Sequence, residues 1–151
     1  MQQLDSFMVI GISTRTTNEN NQAATDIPAL WQRFIGEQTM GKIPNKTGDS
    51  LYCIYTEYEK DHTRPYTTVL GCAVENLESI PDGMTGVTIG QANYEKFEAK
   101  GNLAEGAVFN EWTRIWNTDL KRAYTADFEV YDEKSADMAN AVVDIFIAVN
   151  Q

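Results

Sequence analysis

Cysteine and histidine are scarce in this chain, which limits the chemistry that it can perform. Its 151 residues include two cysteines and one histidine. Cys53 and Cys72 fall in strand-like stretches rather than in a closely spaced ligand motif, so we expect two buried thiols and neither a disulfide nor a metal site. His62 lies in the polar, turn-like stretch 60–65, so we expect a solvent-exposed loop histidine without a catalytic role. A Ser-His-Asp triad is therefore not favoured.

Long apolar runs are also missing. A membrane-spanning helix needs about 20 consecutive apolar residues, and no stretch of the sequence approaches this length. Residues 1–5 contain no basic region followed by an apolar run, so a secretory leader is not supported. We therefore expect a protein that has no membrane attachment and resides in the cytoplasm.

Basic residues are too few for a nucleic-acid-binding surface. The chain has 12 lysines and arginines against 22 aspartates and glutamates, a formal net charge of −10 at pH 7. Such a field repels phosphate backbones and attracts cations. Neither end carries an additional segment large enough for a helix-turn-helix, so we expect no direct binding of nucleic acid. The acidic stretch 55–61 lacks the ligand spacing of a calcium loop, and no pattern indicates a metal or a cofactor.

The sequence does contain enough apolar residues, 42%, for one domain that spans residues 1–151. Within it, the order strand, helix, strand, strand occurs twice. The first unit, residues 1–80, is predicted to consist of strand Phe7–Thr14, a helix capped by Asp26 with Pro28 in its first turn, and strands Leu51–Glu59 and Tyr66–Glu75. The second unit, residues 81–151, is predicted to consist of strand Val87–Phe97, helix Leu103–Asp119, and strands Asp127–Glu133 and Ala141–Val149.

Short matches between the two units indicate a duplication. They pair Val9-Ile10-Gly11 with Thr88-Ile89-Gly90, Trp31-Gln32-Arg33-Phe34 with Trp112-Thr113-Arg114-Ile115, and Ala73-Val74-Glu75-Asn76 with Ala148-Val149-Asn150-Gln151. In this register Cys53 corresponds to Glu129 and Tyr55 to Tyr131. Two such units predict an α+β fold, with an antiparallel sheet, two main helices on one face and a central cleft between them.

Glu129 is the main candidate for a binding residue. It lies in the apolar segment Phe128-Glu129-Val130-Tyr131, and alternation along a strand places Glu129 and Tyr131 on one face. If that face lines a cavity, the carboxylate requires a positive partner. Without such a cavity, a solvated glutamate on an open sheet face is the simpler interpretation.

Five segments, read together, carry a family resemblance: Met8–Ser13, Ile27–Phe34, Tyr94–Gly101, the helix around Trp112 and Trp116, and Asp127–Tyr131. With them the chain resembles, over nearly its whole length, the GyrI-like effector-binding domains. These domains also form the sensory part of AraC-type and MerR-type multidrug regulators. Regulators of this type carry a DNA-binding domain that is not recognised here, so the nearest match is a stand-alone binding module.

The resemblance implies a duplicated fold with a central aromatic pocket, in which a buried glutamate accepts lipophilic cationic compounds. The family glutamate corresponds to Glu129, and Tyr131 shares its face. A homodimer or a separate regulatory protein is compatible with such a module. The other candidate residues for the pocket walls are Trp112, Tyr55, Trp116, Trp31, Tyr94 and Phe97.

Two alternatives use the same sequence features. In a small hydrolase of electrophilic compounds, Glu129 would be the general base and Tyr55 or Tyr131 the proton donor, an activity attributed to some members of the superfamily. In a protein inhibitor of the gyrase-inhibitor type, the acidic exterior would contact a basic partner. The sequence does not separate these alternatives from a ligand-binding module.

Overall fold

A computed structural model describes residues 1–150 of the chain, and eight strands form a single antiparallel sheet. The strands are β1 (Gln2–Leu4), β2 (Phe7–Thr16), β3 (Leu51–Thr56), β4 (Tyr66–Val74), β5 (Thr85–Ile89), β6 (Ala92–Gly101), β7 (Ala126–Tyr131) and β8 (Ala141–Ala148). The helices are α1 (Ala23–Gly36), α2 (Thr39–Lys42) and α3 (Ala107–Trp116). Four single-turn 3₁₀ helices lie at Glu19–Asn21, Leu103–Glu105, Glu133–Ser135 and Met138–Asn140.

The order of strands in the sheet has twofold pseudosymmetry. Across the sheet the order is β1-β6-β8-β7-β3-β4-β2-β5. When each strand is exchanged for the strand four positions later or earlier in the chain, the result is the same order read from the opposite edge. The central pair is β3 with β7, and in its register Cys53 lies directly opposite Glu129. Since the same two residues are equivalent in the two units, the pseudosymmetry axis passes between them.

The sheet curls around a cluster of apolar residues on its helix-free face. Only two residues separate β1 from β2, and two separate β5 from β6, although the members of each pair lie near opposite edges of the sheet. The chain can connect such strands only if the two edges approach one another. The buried members of this cluster come from both edge regions and from the central strands: Val9, Ile54, Val69, Ile89, Tyr94, Ala126, Phe128 and Ala148.

The two longer helices pack on the opposite face of the sheet. Leu30 and Phe34 of α1 are buried against one half of the sheet, and Trp112 and Ile115 of α3 against the other. Their spacing of three or four residues places each pair on one side of its helix. The predicted α+β architecture with both helices on one face is therefore confirmed. Cys53 and Cys72 are buried free thiols, as expected.

The single long strand predicted for Val87–Phe97 is wrong. It is divided into β5 and β6, and the chain leaves one edge of the sheet at Gly90 to join the other. The proposed equivalence of Val9–Gly11 with Thr88–Gly90 fails for the same reason. Val9 belongs to β2, whose counterpart by sheet order is β6, whereas Thr88 belongs to β5, the counterpart of β1.

The predicted helix starts also require correction. The first helix begins at Ala23, so Asp26 does not cap it, and Pro28 lies inside the helix rather than at its start. The Asp26 carboxylate instead accepts hydrogen bonds from Thr16 and Gln22. The region predicted as helix Leu103–Asp119 divides into a 3₁₀ turn and the shorter α3. Strand β3 ends at Thr56, three residues before the predicted Glu59.

No helix within residues 1–150 has both the length and the apolar character needed to cross a membrane.

Candidate functional site

A large cleft lies between the two longer helices and the central strands β3 and β7. Its volume is about 1630 Å³. Apolar side chains of α1 and α3 form two of its sides, and Ile35 and Phe109 lie exposed at its edge. The aromatic residues that line it are Trp31, Tyr55, Tyr58, Tyr66, Phe109, Trp112, Trp116 and Tyr131.

Glu129 lies at the sheet wall of this cleft and is 1% exposed. Alternation along β7 turns Phe128 to the helix-free cluster and Glu129 to the helices. Three side chains donate hydrogen bonds to its carboxylate. Tyr55 Oη and Trp112 Nε1 lie 2.8 Å and 2.6 Å from Oε2, and Tyr131 Oη lies 2.6 Å from Oε1.

The charge of Glu129 is not neutralised by the protein. All three donors are neutral, and within residues 1–150 no basic side chain forms an ion pair with this carboxylate. Burial raises the pKa of Glu129 above its ordinary value of 4.5, while the three hydrogen bonds oppose that rise. A buried ion without a counter-charge costs several kcal/mol even after relaxation. The carboxylate is thus held in place by neutral donors in a site that favours a positive charge.

The aromatic residues around Glu129 follow the pseudosymmetry of the sheet. Trp31 of α1 meets Tyr131 edge to face at 4.8 Å, and Trp112 of α3 meets Tyr55 in the same way at 5.4 Å. Burial raises the pKa of both tyrosines well above 10, so they remain neutral phenols that donate to Glu129. Each pair combines a tryptophan of one unit with a tyrosine of the other, so the two aromatic contacts match. Only the second unit supplies a carboxylate.

Six of the eight predicted binding residues come together in this cleft: Glu129, Tyr131, Trp112, Tyr55, Trp116 and Trp31. Tyr94 and Phe97 do not line it. Tyr94 is buried in the cluster on the helix-free face, against Phe128. Phe97 packs beneath α3, beside a separate shallow depression. Both belong to β6, and β8 lies between β6 and the central strand β7, so neither reaches the cleft.

His62 is not the solvent-exposed loop residue that the sequence predicts. It is half-buried, lines the cleft and stacks on Trp116, with ring centroids 5.5 Å apart and an angle of 9° between the rings. The hairpin loop that carries it turns back over the sheet, where Asn18 Nδ2 donates to the His62 carbonyl at 2.7 Å. Burial, together with the charge of Arg122, lowers the pKa of His62 below 6.5.

Arg122 is a second cleft residue that the sequence did not indicate. Its Nη2 lies 2.8 Å from Asp127 Oδ2, in a pair whose side chains are 6% and 0% exposed. Asp127 also accepts from Tyr58 Oη at 2.5 Å and from the Ala148 amide at 2.8 Å. The guanidinium lies 4.4 Å from the centre of the Tyr124 ring. Asp127 shares a strand face with Glu129. This alternation is the one sequence signal from which the cluster could have been found.

The opposite end of the cleft is acidic. Leu51 and Tyr131 are paired at the ends of β3 and β7, and the residues just beyond them, Asp49 on one side and Asp132 and Glu133 on the other, line the cleft. Within the described part of the chain, no three His, Cys, Asp or Glu side chains are arranged to hold a metal ion.

The fold and the cleft are those of a GyrI-like effector-binding domain. The family model described as Cass2, integron-associated effector binding protein, matches residues 1–149, and the chain belongs to this family. An integron cassette protein, VCH_CASS2, from the mobile metagenome of Vibrio cholerae is 30% identical in sequence. Its structure superposes with a TM-score of 0.77, over 99% of this chain and 94% of that one.

Two other proteins are similar over nearly their whole length. The structure of SAV2435 bound to tetraphenylphosphonium has the same fold, with a TM-score of 0.81 and 21% identity over 99% of this chain and 92% of that one. The Bacillus subtilis (strain 168) protein described as "Putative transcriptional regulator protein YobU" is 28% identical over 98% of this chain and 95% of its own length.

Proposed function

We propose that this protein binds lipophilic organic cations in the cleft, with Glu129 as their counter-charge. The observation that carries this proposal is a carboxylate that is 1% exposed, held by three neutral donors and paired with no cation of the described chain. A cationic guest removes the electrostatic cost of that buried charge. A neutral or anionic guest of the same shape leaves the cost in place or increases it.

The walls of the cleft supply the remaining affinity. Aromatic rings attract a cation above their face by about 0.5 to 2 kcal/mol each, without requiring one ligand shape. Most pockets for drug-sized molecules have volumes of about 300 to 1000 Å³. At about 1630 Å³ this cleft accommodates bulky ligands in several poses. We therefore propose broad selectivity for large aromatic cations. The complex of SAV2435 with tetraphenylphosphonium, a bulky aromatic cation, supports this proposal.

We propose recognition without turnover. Tyr55 and Tyr131 both donate their hydroxyl protons to the Glu129 carboxylate, so they are engaged with the residue that a hydrolase would use as its base. Membership of an effector-binding family supports the same conclusion. We further propose a cytoplasmic role in which a separate regulatory partner responds to the bound ligand, and the similarity to a protein described as a transcriptional regulator supports it.

Titration with tetraphenylphosphonium by isothermal calorimetry tests the proposal. Glu129→Gln keeps the size of the side chain and removes its charge, so we expect a loss of affinity of at least tenfold, about 1.4 kcal/mol. Glu98→Gln is the matched control, because Glu98 is exposed and lies outside the cleft. Equal affinities for the wild type and Glu129→Gln would show that Glu129 is not the counter-charge.

A further inference from the structure

Unpaired polar atoms are concentrated at one end of the cleft. Within residues 1–150, six buried side-chain nitrogen and oxygen atoms have no hydrogen-bond partner, and four of them belong to three cleft residues. These atoms are Nδ1 of His62, Nε1 of Trp116, and Nε and Nη1 of Arg122. Buried polar groups are nearly always paired, so three neighbouring exceptions in one cleft indicate a site for a ligand group.

The three side chains form one donor pocket. The His62 ring stacks on Trp116, Trp112 lies beside Trp116 with centroids 6.3 Å apart, and the Arg122 guanidinium carbon lies 6.0 Å from the centre of the Trp112 ring. Arginine and the indole nitrogen can only donate hydrogen bonds, and the neutral His62 ring donates from Nδ1 in the tautomer that carries its proton there. The group that pairs with them must therefore be an acceptor.

The charge of Arg122 decides which kind of acceptor fits. Its ion pair with Asp127 leaves the two buried side chains with no net charge, while Nε and Nη1 of the guanidinium remain unpaired. An anionic group would place a further negative charge in a cleft that already contains Glu129 and the acidic residues Asp132 and Glu133. A neutral oxygen or nitrogen acceptor satisfies the donors without that repulsion.

The donor pocket lies within the reach of a ligand bound at Glu129. Trp112 connects the two sites, since its indole nitrogen donates to Glu129 at 2.6 Å while Arg122 lies beside its ring. The unpaired atoms are buried beside the stacked rings of His62 and Trp116, so an acceptor requires a movement of side chains to reach them. Side-chain movements of this kind commonly accompany binding.

We propose that the donor pocket of His62, Trp116 and Arg122 binds a neutral hydrogen-bond acceptor of the ligand. The preferred ligands are then lipophilic monocations that carry a carbonyl, ether or similar group several atoms away from the positive charge. This inference rests on the proposed function, since it requires a cation at Glu129. It also predicts the orientation of the bound ligand, with the cation near Glu129 and the acceptor near Arg122.

A matched pair of phosphonium ions tests this inference. (3-Benzoylpropyl)triphenylphosphonium and (4-phenylbutyl)triphenylphosphonium have the same charge and chain length, and they differ by a carbonyl in place of a methylene. We expect the wild-type protein to bind the ketone about five- to tenfold more tightly in calorimetric titrations, as the net contribution of one ordinary hydrogen bond predicts. Equal affinity of the wild type for the two ions would overturn the inference.

Arg122→Lys identifies the donor. Lysine keeps the positive charge opposite Asp127 but lacks the planar fork of donors, so we expect the preference for the ketone to fall to about twofold or less. Arg114→Lys makes the same change on an exposed arginine outside the cleft, and it should keep the wild-type preference. A preference that persists unchanged in Arg122→Lys would contradict the assignment.

His62→Phe provides a second variant that keeps a ring to stack on Trp116. We expect the ratio of its affinities for the ketone and for the methylene compound to fall below the wild-type ratio, because the variant lacks the hydrogen bond from Nδ1. Failure of the proposed function gives a different result from failure of this inference. If the proposed function fails, Glu129→Gln leaves the affinity for both phosphonium ions unchanged. If only this inference fails, Glu129→Gln lowers both affinities, and the wild type binds the two ions equally.

Discussion

Two buried carboxylates on one face of β7 differ in how their charge is balanced. Asp127, 0% exposed, pairs with Arg122 and accepts from Tyr58 and a backbone amide. Glu129, 1% exposed, has neutral donors alone. Both carboxylates are well supplied with hydrogen bonds, so hydrogen bonding does not distinguish them. They differ in that a basic side chain pairs with Asp127 and none pairs with Glu129, and this difference supports the binding role that we propose for Glu129.

Removing one charge at each of the two sites should have the largest effect on stability, and the two effects should differ. Arg122→Met leaves Asp127 as an unpaired buried charge, so we expect the free energy of unfolding to fall by about 3–5 kcal/mol. Glu129→Gln removes a buried charge that has no partner, so it should leave stability within about 1 kcal/mol of the wild type or raise it. Urea denaturation at pH 7 measures both.

Arg33→Met is the control for the arginine change. The side chains of its ion pair with Glu37 are 44% and 58% exposed, and surface pairs of this kind contribute about 0 to 1 kcal/mol. A loss of stability in Glu129→Gln as large as that in Arg122→Met would mean that Glu129, like Asp127, is mainly a structural residue.

The pH dependence of cation binding provides a second test of the difference between Glu129 and Asp127. Burial raises the pKa of Glu129 above 4.5 in the folded protein. Protonation of Glu129 then favours the folded state. The destabilising effect of its charge is complete above the folded pKa and decreases as pH falls below that pKa. A cation requires the ionised form. Its affinity should therefore be constant at high pH and fall by about tenfold per pH unit below the folded pKa of Glu129.

Calorimetry with tetraphenylphosphonium, which carries a permanent charge, measures this dependence from pH 8 down to pH 4, a range that extends below the ordinary glutamate pKa of 4.5. In Glu129→Gln the affinity should vary by less than about twofold over the same range. A wild-type curve as flat as that of the variant would argue against Glu129 as the titrating group.

The smallest effect should come from one of the neutral donors. Tyr131→Phe removes the hydrogen bond to Oε1 and keeps the ring that meets Trp31, so the pKa of Glu129 should rise further. We expect the pH at which cation affinity begins to fall to move upward, with a stability loss of about 1 kcal/mol. Tyr58→Phe is the counterpart at Asp127 and should leave that pH unchanged, because its hydroxyl donates to the other carboxylate.

The sequence predicted the sheet, the helices and the face of Glu129 because these depend on local periodicity. Alternation in β7 separates Phe128 from Glu129, and helical spacing buries Leu30 with Phe34. The matches between the two units also paired Trp31 with Trp112 and Tyr55 with Tyr131, the residues that form equivalent aromatic contacts. Such features are encoded within a few neighbouring residues.

Other features depend on contacts between distant segments, which local patterns do not reveal. The predicted strand is divided at Gly90 because the two edges of the sheet approach one another there. The same division places Tyr94 on the helix-free face. His62 enters the cleft because its loop turns back to Asn18, 44 positions away in sequence. Arg122 pairs with Asp127, which lies on a strand that the sequence predicted. No periodicity in the sequence, however, indicated that Arg122 would reach this residue.

The position of the pseudosymmetry axis limits how alike the two units of this chain can be. Cys53 and Glu129 face one another across it, so a perfectly repeated sequence would place identical side chains in direct opposition. Two glutamates there would share a proton and titrate as a coupled dyad, and two cysteines would provide no charge. Such a dyad carries a single negative charge only between its two apparent pKa values, whereas one glutamate opposite a cysteine carries it at every pH above its own pKa, and this suits the monovalent guest that we propose.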